Sequence, residues 1–179
     1  MRVVELHGGR DGLWALGTRL VVARDGDSLA IYDVAAEPFG REALLTSRGV
    51  ADVVVAGDTL LWANQRGAVL GWRVDGTRAR KWGGFALPRG PEVRLAAVSP
   101  SGLLAAAAAP GVIFVIDVST GATLAEHPGA SPAGATFIVD AAGQEQLQLD
   151  PAAAAPARTV TIGDTTVHAA AAAAPAAPA

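Results

Sequence analysis

Six basic side chains crowd one short stretch of the chain: Arg73, Arg78, Arg80, Lys81, Arg89 and Arg94, opposed by Asp75 and Glu92. Trp72, Trp82 and Phe85 are interleaved with them. Cations mixed with aromatic rings can hold an anionic partner or stack on unpaired bases. The same pattern describes a solvated outer strand whose arginine stems cover apolar surface, and that plainer reading is preferred. If the segment binds, an acidic protein surface is expected before nucleic acid. Arg78, Lys81 and Trp82 lead the partner-binding candidates, with Arg41 and Arg89 behind them.

Other chemistry is sparse. His7, His127 and His168 lie in unrelated contexts, none at metal-ligand spacing from a second histidine or a carboxylate. A zinc site needs several converging ligands. Asp25 and Asp27 flank Gly26 in a weak echo of a calcium loop, but the further oxygen ligands and the terminal Glu are missing. A turn held by aspartate side chains is the simpler reading. Asp33 and Asp117 recur at one phase of the sequence and suit turn anchors better than a catalytic pair, which must face across a cleft. The serines sit in turn-like settings without a nucleophile elbow. Gly8-Gly9-Arg10-Asp11-Gly12 lacks the Lys-Ser/Thr ending of a phosphate cradle. No catalytic residue, metal site or cofactor is expected.

The 179 residues suffice for one sizeable domain. Apolar residues reach 51%, much of it alanine, so the core must draw on Val, Leu and Ile, which favour strands. A net charge of −3 names no partner. Cysteine is absent, which removes disulfides and thiolate chemistry. Residues 1–12 show no signal-peptide core, and a cytoplasmic protein is expected. The uncharged stretch 95–116 is broken by Ser99-Pro100-Ser101-Gly102 and Pro110-Gly111, so it reads as short strands and not as a membrane helix.

The elements that would position these residues recur. Leu29–Val34, Val69–Val74 and Ile113–Val118 are alike, their final valines 40 and 44 residues apart. Each follows an apolar run, a glycine turn and a second apolar run: residues 14–23, 54–63 and 96–105. Phe137–Gly143 begins a fourth such run. Gly17, Gly57, Gly102 and Gly143 are separated by 40, 45 and 41 residues. Second turns fall at Gly26, Gly67 and Gly111. Each unit predicts four short antiparallel strands, and a repeat of this length predicts propeller blades that bury their faces on one another.

On these residues the chain resembles WD40-type propeller repeats, over about residues 12 to 128. Val98-Ser99-Pro100-Ser101-Gly102 looks like the turn between the first two strands of that family's blade. Pro110 to Asp117 and Arg66 to Arg73 match its turn-plus-strand, with Ile116-Asp117 and Trp72-Arg73 at the end. Tyr32-Asp33 comes into phase if one residue, Asp27, is extra. Trp and Asp never occur together, and the Gly-His dipeptide is absent. The resemblance therefore implies the architecture more than the family's hydrogen-bond network.

The expected fold is all-β: antiparallel four-stranded blades in a small or incomplete β-propeller, with a disordered Ala/Pro C-terminal tail. Residues 1–130 hold three clear units. Residues 131–168 hold a degenerate fourth blade, in which 158–168 is a hairpin that could pair with Val3–Leu6 and close the assembly. Residues 169–179 are the tail. Closed propellers usually need four to eight blades, so an open arc completed by a second copy or another chain is slightly preferred to a four-bladed ring. The resemblance implies a non-catalytic protein–protein scaffold, one component of a bacterial multi-protein system. A lactonase-type or quinone-dependent propeller enzyme, or a decayed fragment, is the alternative.

Overall fold

The computed structural model describes residues 12–36, 40–46, 49–75, 78–88, 92–151, 159–162 and 165–169. Blade 1 comprises β1 (Gly12–Leu16), β2 (Leu20–Asp25), β3 (Ser28–Asp33) and β4 (Gly40–Thr46). Blade 2 comprises β5 (Val50–Ala56), β6 (Thr59–Asn64), β7 (Ala68–Asp75) and β8 (Arg78–Ala86). Blade 3 comprises β9 (Arg94–Val98), β10 (Leu104–Ala109), β11 (Val112–Asp117) and β12 (Thr123–Pro128). Each is a four-stranded antiparallel sheet in chain order. The tight turns follow from glycine: Gly17, Gly57 and Gly102 all take positive φ, 63°, 53° and 70°, which a Cβ would oppose.

Asp27 is not an insertion. Gly26-Asp27 is a two-residue turn like Pro110-Gly111, and Ser28–Asp33 is as long as Val112–Asp117. The two turns differ in where the glycine stands. That difference alone made the sequence look out of phase.

Register makes the blades superimposable position by position. Leu13, Ala23, Ala30 and Leu44 lie side by side across blade 1. Val53, Trp62, Leu70 and Gly84 form the same row in blade 2, and Leu95, Ala107, Phe114 and Glu126 in blade 3. The next row is Ala15, Val21, Tyr32 and Arg41, matched by Val55, Leu60, Trp72 and Lys81 and by Val98, Ala105, Ile116 and Thr123. These two rows form one face of each blade, here called the leading face. The trailing face carries the alternate residues.

Packing follows these faces. The leading face of blade 2 meets the trailing face of blade 1, with Leu60 and Trp62 against Leu16, Val22 and Ile31. Blade 3 repeats the arrangement, with Ala105, Ala107, Phe114 and Ile116 against Leu61, Ala63 and Val69 of blade 2. At the inner margin β5 lies against β9 and β1 approaches β5. The outermost strand of each blade carries a bulge at one equivalent position, where Glu42, Trp82 and Leu124 stand opposite no residue. A bulge re-aims the side chain it carries. Glu42 accepts the N–H of Ala79 in blade 2, and Trp82 turns into the core between blades 2 and 3.

The fourth sheet comprises β13 (Ala130–Val139), β14 (Glu145–Pro151), β15 (Thr159–Ile162) and β16 (Thr165–Ala169), in the order β13-β14-β16-β15. Phe137, Leu147 and Leu149 pack on blade 3. It is not a regular blade. The expected C-terminal hairpin forms, but β16 runs parallel to β14, with Gln146 beside Thr166. The hairpin therefore extends the fourth sheet. Its expected partner, Val3–Leu6, and residues 170–179 of the expected tail lie outside the described residues. Stretch 95–116 is β9, β10 and β11, and no helix among the described residues is long and apolar enough to cross a membrane.

Candidate functional site: the turn face of the blades

The turns β1–β2, β5–β6 and β9–β10 open on one side of the array. Hydrogen bonds tie each sheet to the next on this side. Gly17 donates its N–H to the carbonyl of Gly57 at 2.8 Å, from blade 1 to blade 2. Arg73 sends Nη2 to the carbonyl of Gly102 at 2.9 Å, from blade 2 to blade 3. Ser101 donates its N–H and its hydroxyl to the carboxylate of Glu145 in the fourth sheet, the hydroxyl at 2.8 Å. A recess of about 510 Å³ lies between these turns, with Asp58, Thr59, Arg73, Pro100 and Ser101 on its walls.

One residue at the end of each third strand sets the local charge. Asp33, Arg73 and Asp117 are equivalent, since each stands opposite the first residue after the turn: Leu20, Thr59 and Leu104. Asp33 accepts two bonds from Arg19 Nε, at 2.7 and 2.8 Å, and one from the Ala35 N–H. The Arg19 bond holds the Asp33 carboxyl below the usual carboxylate range. Asp117 accepts the Ser119 hydroxyl at 2.6 Å and the N–H groups of Ser119 and Thr120. Its carboxyl is lowered too, first by the Ser119 hydroxyl. Arg73 reverses the sign at this position. Its guanidinium lies 4.7 Å from the Trp82 ring centroid, and its Nε is buried without a hydrogen-bond partner.

Of the residues picked out in the sequence Arg73 lines this recess, and the described partner-binding candidates Arg41, Arg78, Lys81 and Trp82 do not. Arg78, Arg80 and Lys81 are exposed on β8, the outer strand of blade 2. Arg80 lies 3.3 Å from Asp75, both well exposed, a pairing of little weight in water. Arg41 is exposed on β4, at the position in blade 1 that Lys81 takes in blade 2. Trp82 is half-buried and stands over Gly71, where a Cβ would fall 2.5 Å from its ring. Its indole N–H meets no acceptor, and its position is that of a packing residue beneath Arg73. Trp72 packs on blade 1 and Ile116 on blade 2, while Tyr32 stays half-buried on blade 1's leading face. Arg89 lies outside the described residues.

Asp58, Thr59 and Glu145 escaped the sequence reading. The signal for the first two was present: they follow Gly57, and an arginine stands where units one and three place aspartate. Glu145 had no local signal, because its partner Ser101 is 44 residues away. Among the described residues no group of three or more His, Asp or Glu could hold a metal ion. His127 is buried in blade 3, its Nε2 unpartnered, and burial lowers its pKa.

No protein-family model and no curated protein matches the chain. Solved structures do. Hsv2 of Kluyveromyces lactis matches with a TM-score of 0.54 at 16% identity, over 82% of this chain and 48% of that one. Hsv2 of Kluyveromyces marxianus matches with a TM-score of 0.57 at 13% identity, over 83% and 46%. A chain of the mitotic checkpoint complex matches with a TM-score of 0.50 at 15% identity, over 67% and 37%. At such identities the likeness is one of fold. That fold is the WD40-like β-propeller, and the chain spans less than half the length of these solved propellers.

Proposed function

We propose that this protein is a non-catalytic protein–protein interaction scaffold that presents the turn face of its blades. The observation that carries the reading is the hydrogen bonding of each sheet to the next on the turn face, by Gly17–Gly57, Arg73–Gly102 and Ser101–Glu145. A surface held this way loses little freedom when a partner docks, which favours binding. The walls of the recess offer a carboxylate, hydroxyls and an arginine, and suit a polar segment of a folded partner. One solved propeller of similar fold belongs to a protein assembly, the mitotic checkpoint complex, which fits this reading. We place the protein in the cytoplasm, as one component of a bacterial multi-protein system. Its partners are a second copy, another protein chain, or both, and nucleic acid and membrane are not among them. A second reading assigns binding to the basic edge, because Arg78, Arg80 and Lys81 are all exposed along β8.

Capture of partners from the native host by the immobilised protein separates the two. Asp58→Arg/Ser101→Arg should abolish capture, and Arg78→Glu/Lys81→Glu should leave it intact. The opposite result moves the site to the basic edge. A cofactor that co-purifies in stoichiometric amount would replace both readings with a propeller enzyme.

A further inference from the structure

The recess on the turn face crosses the end of blade 2, and its two sides differ in charge. On the side toward blade 1 stands Asp58, placed so that a Cβ on Gly17 would fall 2.7 Å from its Oδ1. The Asp58 carbonyl accepts the Val74 N–H at 2.9 Å, which fixes its backbone. Its carboxylate is exposed and engaged by no hydrogen bond or ion pair. On the side toward blade 3 stand Thr59 and Arg73. A Cβ on Gly102 would fall 2.2 Å from Thr59 Oγ1, and Arg73 Nη2 donates to the Gly102 carbonyl. The carboxylate and the guanidinium thus face opposite neighbours across one blade, and neither neutralises the other.

The side toward blade 3 has donors to spare. A guanidinium carries five N–H groups. That of Arg73 gives one bond to Gly102, packs on the Trp82 ring and leaves Nε without an acceptor. Thr59 beside it is only 2% exposed, yet its hydroxyl makes no hydrogen bond within the protein. Donors left unanswered at the wall of a recess call for an acceptor brought from outside. A carboxylate suits both, taking the remaining Nη hydrogens of Arg73 and the hydroxyl of Thr59 in charge-assisted bonds. A phosphate, or a run of acidic groups, would extend toward Asp58 and be repelled there. A ligand with a cation at one end and a carboxylate at the other satisfies the whole recess.

We propose that the recess takes a partner-chain segment of mixed charge, a lysine or arginine seated at Asp58 and an aspartate or glutamate seated at Arg73 and Thr59. The proposal rests on the scaffold reading for its choice of surface, and adds the chemistry of the segment that docks there. Because the two charges of the recess lie on fixed sides of blade 2, the segment binds in one direction only. Complementary charge of this kind gives register and selectivity more than raw affinity. A segment of one sign meets attraction at one end and repulsion at the other.

An array of short blocked peptides, probed with the labelled full chain, tests it. Each peptide carries one lysine and one glutamate at successive spacings and in either order, or two lysines, or two glutamates, in a Gly/Ser background. The wild type should be retained about ten-fold more by mixed-charge peptides of one order than by either like-charged set. Asp58→Lys should move the preference to peptides with two glutamates. Asp58 is exposed, so this variant should keep its circular dichroism spectrum and thermal midpoint. Arg73→Gln should move the preference to two lysines, but it also removes the contacts to Gly102 and Trp82, so Asp58→Lys is the deciding variant. Arg78→Glu/Lys81→Glu should change nothing. Equal retention by all peptides, a wild-type preference for one sign, or a preference unmoved by Asp58→Lys would each overturn the proposal. Host partners captured through Asp58 and Ser101, with no preference on the array, leave the scaffold reading standing and remove this one. A mixed-charge preference with nothing captured from the host does the reverse.

Discussion

Blade 3 and blade 1 have the same strand order, turns and bulge, yet they are packed differently. Every residue of β10, Leu-Ala-Ala-Ala-Ala-Ala, is buried, and so is most of β11. Blade 1 carries larger side chains in its middle strands, but its Leu13 and Leu44 stand in water. On the leading faces the contrast is at Val21 and Tyr32, half-buried in blade 1 where their equivalents Ala105 and Ile116 in blade 3 are fully buried. Alanine suits the middle of blade 3 because it lies between two sheets. Small side chains there let both neighbours approach, and the large ones, Phe114 and Ile116, come from β11.

The comparison is broken most forcefully at Phe114. It is fully buried between blades 2 and 3, and its equivalent in blade 1 is Ala30, which has only a methyl group to lose. Phe114→Ala should cost about 3–5 kcal/mol, the range for deleting a buried ring. Urea unfolding would show the loss as a lower midpoint. Ile116→Ala should cost about 2–5 kcal/mol. Tyr32→Ala, its half-buried counterpart in blade 1, should cost less. Equal losses at Ile116 and Tyr32 would mean that Tyr32 is packed as tightly as Ile116.

Turn glycines sharpen the contrast at a smaller scale. Gly102 combines φ of 70° with a neighbour: a Cβ there would fall 2.2 Å from Thr59 Oγ1, in the adjoining blade. Gly26 has φ of 57° with nothing within 4 Å. Gly26→Ala should cost only the backbone penalty, roughly 1–2 kcal/mol. Gly102→Ala adds the clash with a buried threonine, for a total of about 3 kcal/mol. Thr59→Ala in the Gly102→Ala background should recover part of that difference. No recovery would show that the strain is local to the turn.

These glycines explain how much of the fold could be read from sequence. Gly17, Gly57, Gly102 and Gly143 mark equivalent turns, and all four take positive φ. Local chemistry dictates a turn, so its periodicity survives in the sequence. Strand partnership is different. The hairpin at 158–168 carries its own turn signal, yet nothing in it specifies that β16 will run parallel to β14. Trp82 shows the same limit for the site. Alternation along β8 cannot place it, because the bulge opposite Gly71 and Trp72 changes the face mid-strand. Arg73 was visible as a departure from Asp33 and Asp117, but its acceptor, Gly102, belongs to the next blade.

The smallest expected effect is a pH dependence confined to blade 3. His127 lies beside Ile113, on the side of β12 toward the fourth sheet. Thr46 holds the equivalent place in blade 1 and Phe85 in blade 2, and neither titrates there. Burial lowers the pKa of His127 below its ordinary 6.5, so the unfolded chain binds a proton in a range where the folded chain does not. Acidification below that value therefore favours unfolding, and the stability lost continues to grow until the folded-state pKa is passed. Asp33 and Asp117, with lowered values, act only further into acid, below the ordinary carboxylate pKa of 3.8. Thermal midpoints of the wild type should thus begin to fall between neutrality and mild acid. His127→Gln should flatten that limb and leave the more acidic one in place. An unchanged slope in the variant would mean that the imidazole at this junction reaches water, and that blade 3 is less tightly held on this side than on the side of Phe114.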